Sequence, residues 1–246
     1  MDVFIEMTSI DVEIVETQPI KKGKPTVIIG FAGPGFIGGT AVMFMARNKN
    51  FVQRAHLRSQ LISPMILLID GQLTPDVRIY SHDEGDLLFI TNTTLIASEN
   101  SWPISHKLLE WFLSKGASSF ISIEPLPFGA GTKERPILCF STHRKDMDQF
   151  GVQTAREGSI AGISACMLEE CVRRDIPWTS LFVPTTQVST IDYGGAAAVI
   201  EVLNKMFKLG VDVAPLKQRD EAMRRMMEMR VKGERRGLLD SLRRRD

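Results

Sequence analysis

Residues 26–46, TVIIGFAGPGFIGGTAVMFMA, restrict the possible folds more than any other stretch. A continuous run of β-branched and aliphatic residues leads into five glycines between positions 30 and 39. Such a run, without alternation, suits a strand buried on both faces. From Phe36 onward, Phe36, Ile37, Thr40, Ala41, Phe44 and Met45 recur at helical spacing, and residues 48–50 end the pattern. The stretch therefore predicts a buried strand, a tight glycine turn and a helix laid close against that strand.

Gly33-Pro34-Gly35-Phe36-Ile37-Gly38 also matches the G-x-G-x-x-G pattern of dinucleotide loops, in the strand-to-helix context that pattern requires. The rest of the motif is absent. An acid about 20 positions on should hold the ribose, yet no Asp or Glu lies between Glu16 and Asp70. Pro34 also removes a backbone N–H from the turn. Gly33, Pro34, Gly35 and Gly38 are read as a structural corner, with a ligand site as the alternative use.

The remaining pattern alternates strands and helices. Residues 11–16 alternate polar and apolar, as a half-exposed strand does. A buried strand is expected at 65–69, ending at Asp70-Gly71, and two strands at 77–80 and 87–91 joined by the acidic turn 82–86. Ser101 is expected to cap a helix with Pro103 in its first turn, Ile104, Leu108, Trp111 and Phe112 inward, and Gly116 as its stop. Strands follow at 120–123, 137–140 and 180–183. Helices are expected over 159–173, with Ile160, Ile163, Met167 and Cys171 inward, and over 195–209, capped by Asp192 and closed by Gly210. This order predicts one α/β domain with a largely parallel sheet and helices on both faces.

Charge divides the chain. Residues 217–246 carry 11 Lys or Arg and 6 Asp or Glu, so a net +1 overall hides a basic end and a weakly acidic body. The boundary is placed near Pro215, giving a 1–215 domain and a 216–246 tail. In the tail Leu216, Met223, Met227 and Val231 share a helical stripe that Gly233 is expected to end. Leu238, Leu239 and Leu242 follow, beside Arg243, Arg244 and Arg245. A narrow apolar stripe on a charged helix calls for a partner. With no aromatic residue to stack on bases, the tail is not expected to bind nucleic acid. No apolar run reaches the ~18 residues of a membrane span, and residues 1–10 have no basic, then apolar, leader pattern. The expected setting is cytoplasmic, with Cys139, Cys166 and Cys171 reduced.

The chemical candidates are sparse. Glu124, with the following loop Gly129-Ala130-Gly131-Thr132-Lys133, is the best alternative enzyme or sensor site, because α/β proteins place sites beyond the carboxyl ends of strands. Gly162-Ile163-Ser164-Ala165-Cys166 approximates a G-x-S-x-G elbow, but falls inside the expected 159–173 helix. His56, His82, His106 and His143 lack metal-ligand spacing. No catalytic set, metal site or cofactor is expected.

The glycine corner PTVIIGFAGPGFIGGTA resembles the P-x-V-x-x-G-x-P-G-x-G-x-V-G segment of the PAC2 family, relatives of proteasome assembly chaperones. GDLLFITNTT with its Trp-containing helix, GSIAGISACMLEECVRRDIPWTSLFVPT and IDYGGAAAVIEVLNKMFKLGVDVAPL are similar to further family segments, in order, across residues 10–216. The resemblance implies a three-layer α/β/α fold of the phosphorylase and nucleoside hydrolase class, and homo-oligomers. It also implies an ATP-independent, non-enzymatic role in 20S proteasome assembly, with α subunits or a related assembly factor as partner and the C-terminal tail as contact. Members that dock into the α ring can end in hydrophobic-Tyr-any. Here residues 244–246 read Arg-Arg-Asp, so docking through that motif is not expected: the chain either binds another partner or uses the Leu238, Leu239 and Leu242 patch with the flanking arginines, and Met223 and Met227 complete the expected partner-binding set.

Overall fold

The computed structural model describes residues 12–21, 23–82, 84–127, 136–143 and 147–243; from residue 230 on, only the backbone of the last helix is described. Nine strands form the main sheet: β1 (Val12–Glu16), β2 (Thr26–Gly30), β3 (Val52–Ser59), β6 (Arg78–Ser81), β7 (Leu87–Thr91), β8 (Ser119–Pro127), β9 (Leu138–Ser141), β10 (Gln153–Thr154) and β11 (Trp178–Thr185). Their spatial order is β1-β3-β6-β7-β2-β8-β11-β9-β10. The four central strands, β7-β2-β8-β11, run parallel. β1, β3 and β6 add antiparallel pairs on one flank, and β9 pairs antiparallel with β11 on the other.

The fold is a three-layer α/β/α sandwich. α1 (Ile37–Asn48) and α4 (Tyr193–Phe207) cover one face, and α2 (Ser101–Ser114) and α3 (Gly162–Arg173) the other. Successive strand residues point to opposite faces, so the apolar runs of the central strands feed two cores. Ile28, Phe89, Ile121 and Leu181 meet Ala41, Met45 and Ile200 on the first face. Val27, Ile29, Leu88 and Phe120 meet Leu108, Phe112 and Met167 on the second. α5 (Ala214–Arg243) follows α4. Among the described residues, no helix is long and apolar enough to cross a membrane.

Several local expectations are corrected. The 65–69 strand is not buried. β4 (Ile66–Ile69) pairs with β5 (Gln72–Pro75) in a separate hairpin, with Ile66, Leu68 and Leu73 at least 63% exposed. Asp70 and Gly71, with φ of 51° and 79°, fold the chain back before it can join the main sheet. The core face of α1 is rotated: Val42 and Ala46 are buried while Thr40 and Phe44 are half-exposed. α2 includes Ser101, and Asn100 holds the cap position without a side-chain bond. α3 starts at Gly162, not at 159, because Ala161 is extended and Gly162 has φ of 65°. α4 begins at Tyr193 and ends at Phe207, where Lys208 turns left-handed. α5 runs through Gly233 and Gly237 without a break. A single helical glycine costs about 1 kcal/mol and does not terminate a helix by itself.

Candidate functional site

The glycine corner closes on itself. A Cβ at Gly30 would stand 2.3 Å from the Gly38 carbonyl oxygen, and one at Gly38 would stand 2.9 Å from the Gly30 Cα. β2 and α1 therefore touch backbone to backbone. Gly35 has φ of 69°, and a Cβ there would meet Thr185 and Asp192 at 3.1–3.2 Å. Its carbonyl accepts from Asp192 N at 2.8 Å, and its own N–H reaches Val188 O at 3.4 Å. Phe36 N donates to Gly33 O at 2.9 Å. The Ala32, Gly35 and Phe36 amides thus have acceptors within the chain, and Pro34 has no N–H to offer a phosphate.

Asp192 ties the corner to β11 and α4. Thr185 Oγ1 donates to its Oδ2 at 2.6 Å, and Gly195 N donates to its Oδ1 at 2.8 Å, the expected helix cap. On the other side of β2, Asn92 holds the chain end: Ala32 N donates to its Oδ1 and its Nδ2 donates to Thr94 O, both at 2.7 Å. Asp76 in turn accepts from Thr93 N, Thr94 N and the Thr94 hydroxyl.

A recess opens beside this corner, and strand lengths explain it. β2 ends at Gly30, and its last pair with β8 is Ile29 with Ser122. β8 continues to Pro127 alongside β11 alone, with Glu124 opposite Phe182. The notch left beyond β2 is a cavity of about 340 Å³. Gly33 and Pro34 form one wall, Leu95 and Ile96 another, and Ala161 with the first residues of α3, Gly162 to Ser164, a third. Glu124 is the only charged residue lining it among the described residues. Burial pushes the Glu124 carboxyl above its usual value, against the opposing pull of the Ser122 and Ser164 hydroxyls. Its Oε1 is enclosed and has no hydrogen-bond partner. Ser164 is buried beside it, and α3 has no side-chain N-cap.

Ala32 and Asn92 separate the recess from a second groove of about 450 Å³. Phe44, Tyr193 and Leu216 line that groove with Arg47 and Arg219, and the Arg219 guanidinium lies 5.8 Å from the Tyr193 ring centroid. The groove leads to the root of α5. Leu216 is buried there, Lys217 Nζ meets Glu201 at 2.6 Å, and Asp220 lies against Gly194. Further along, Met223 is half-buried, while Met226, Met227 and Met229 are exposed.

The sequence candidates thus separate into three places. Gly33, Pro34 and Glu124 share the recess; Gly35 and Gly38 belong to the closed corner; Met223 and Met227 lie on α5. Leu238, Leu239, Leu242 and Arg243 are on the α5 backbone, with side chains outside the described residues, as are Gly129, Gly131, Arg244 and Arg245 entirely. The sequence pattern sets Ser164 inside a longer helix; its position in the first turn of α3 puts it against Glu124. Cys139 and Cys171 are buried thiols, pushed up to about 11 and about 12 by desolvation.

Comparison with known proteins places the whole architecture. The model of the PAC2 family matches residues 27–230. An uncharacterized protein of Methanocaldococcus jannaschii is 25% identical over 211 residues, covering 86% of this chain and 87% of that protein. The crystal structure of Pyrococcus furiosus PbaA, an archaeal homolog of proteasome-assembly chaperone, superposes with a TM-score of 0.78 at 25% identity, covering 91% of this chain and 95% of that one. Pyrococcus furiosus PbaB, an archaeal proteasome activator, shares the fold with a TM-score of 0.78 at 19% identity, covering 89% of this chain and 98% of that one.

Proposed function

The chain belongs to the PAC2 family, and on that premise we propose that it is a non-enzymatic, chaperone-like protein that assists assembly of 20S proteasome α subunits or a related factor. It acts in the cytoplasm, without ATP, as a homo-oligomer. Residues 1–215 serve as the α/β body and residues 216–246 as the partner-binding element. The observation that carries this reading is α5. Its root is fixed by Leu216 and the Lys217–Glu201 pair, and beyond that root Met226, Met227 and Met229 are exposed. Methionine's flexible, polarizable side chain suits an adaptable protein contact. The exposed Ile66, Leu68 and Leu73 of the β4–β5 hairpin support self-association.

The test compares the full chain with a 1–225 truncation, which keeps the docked root, and with the double variant Met226→Glu/Met229→Glu. Each is mixed with purified archaeal proteasome α subunits, with and without ATP, and α-ring formation is followed by native electrophoresis. The full chain should accelerate ring formation equally with and without ATP, and both variants should lose at least tenfold of that effect. Undiminished assistance by both variants would remove α5 from the mechanism, and no assistance by the full chain would overturn the chaperone reading.

A further inference from the structure

We propose that the recess beyond β2 binds a neutral, hydroxyl-rich small molecule of sugar to nucleoside size, held by Glu124, Ser164 and the first turn of α3. Three features converge there. The cavity, at about 340 Å³, is in the range of small-molecule sites. Glu124 lines it, and its Oε1 is buried without a hydrogen-bond partner, although buried polar groups in folded proteins are almost always paired. The uncapped first turn of α3 lines the same space, and leading helix N–H groups need acceptors from outside the helix.

The chemistry of the lining selects the ligand. A cation would pair with Glu124 but would face the positive end of the α3 dipole. An anion would suit the helix end but oppose the carboxylate. A hydroxyl serves both, because it donates to Glu124 and accepts from an amide or from Ser164. Leu95, Ile96, Ile163 and Pro125 offer apolar surface to the carbon-bound hydrogens of such a ring. An ordinary structural acid in this protein differs: both oxygens of Asp76 and of Asp192 accept hydrogen bonds. The proposal stands apart from the proteasome reading, since no described residue of α5 lines the recess.

The test is saturation-transfer NMR and calorimetry on the full chain, with D-ribose and adenosine as probes at up to about 10 mM, a range that registers weak binding to the folded state. Spermidine and inorganic phosphate serve as cationic and anionic controls. The wild type should bind ribose or adenosine saturably. Glu124→Ala should weaken that binding at least tenfold, Ser164→Ala several-fold, and Glu124→Gln less than Glu124→Ala, because the amide still donates and accepts. Should Glu124→Ala fail to fold by circular dichroism, Glu124→Gln and Ser164→Ala carry the comparison. Absence of saturable binding by both neutral probes, binding indifferent to Glu124 and Ser164, or Glu124-dependent binding of only spermidine or phosphate would each overturn the proposal. The α-ring assay with Glu124→Gln is run in parallel. Full assistance there with altered ribose or adenosine binding separates this site from the chaperone function.

Discussion

Asp192 and Glu124 are two acids near the carboxyl ends of the same parallel strands, and they are used in opposite ways. Asp192 is 1% exposed, and its oxygens accept from Thr185 and Gly195 while its backbone N–H reaches Gly35. It clamps β11, α4 and the glycine corner together. Glu124 lies beside a cavity with one oxygen idle. The difference teaches that burial of a carboxylate alone identifies no site. What matters is whether the surrounding chain supplies donors to every oxygen.

The largest expected effect comes from forcing the closed side open. Gly30→Ala places a methyl 2.3 Å from a backbone carbonyl that cannot rotate away, so β2 and α1 must separate. A loss of about 3 kcal/mol or more is expected, at the top of the overpacking range, read by thermal and urea unfolding. A variant with wild-type stability would show that the corner is not tightly closed. Next comes Asp192→Ala, which removes the α4 cap and strands the Gly195 N–H. It should cost about 2 kcal/mol, and a loss well under half of that would erase the contrast between the two acids.

The smallest effect sharpens the open side. Glu124→Gln should stabilise the unliganded chain by about 1 kcal/mol at neutral pH, because it replaces an incompletely paired buried acid. The sign follows from linkage. The folded-state value is raised above 4.5, so the acid's favourable contribution is fully present below about pH 4.5 and is lost as pH rises through the folded value. The advantage of Glu124→Gln over wild type should therefore grow from acidic toward neutral pH, in urea titrations at several pH values. A difference independent of pH would mean that Glu124 titrates as a solvated carboxyl does.

The closed side was largely legible in the sequence, because its evidence is local. The 26–46 stretch combines a buried-strand run, turn glycines and helical spacing within one short window, and Asp192 stands directly before its helix. The open side depends on pairs far apart. Asn92 supports Ala32 across 60 residues, and the notch exists only because β2 stops short while β8 continues. Glu124 was found as a residue near a strand end, but Ser164 was hidden by a helix boundary three residues too early. β3 was missed because Gln53, Arg54, His56 and Arg58 leave only Ala55 and Leu57 deeply buried along its middle. β4 misled in the opposite sense, since Ile66–Ile69 has the composition of a core strand on an exposed hairpin.

At 1.5 Å per residue, the 30 residues of α5 make a lever about 45 Å long. Its fulcrum is the contact of Arg219 and Asp220 with Tyr193 and Gly194, the first two residues of α4. A stiff rod transmits torque that a slack tether would dissipate, so a force applied at the distal end would act on the residues directly following Asp192. Tension applied there would arrive at the joint between β11, α4 and the turn containing Gly35.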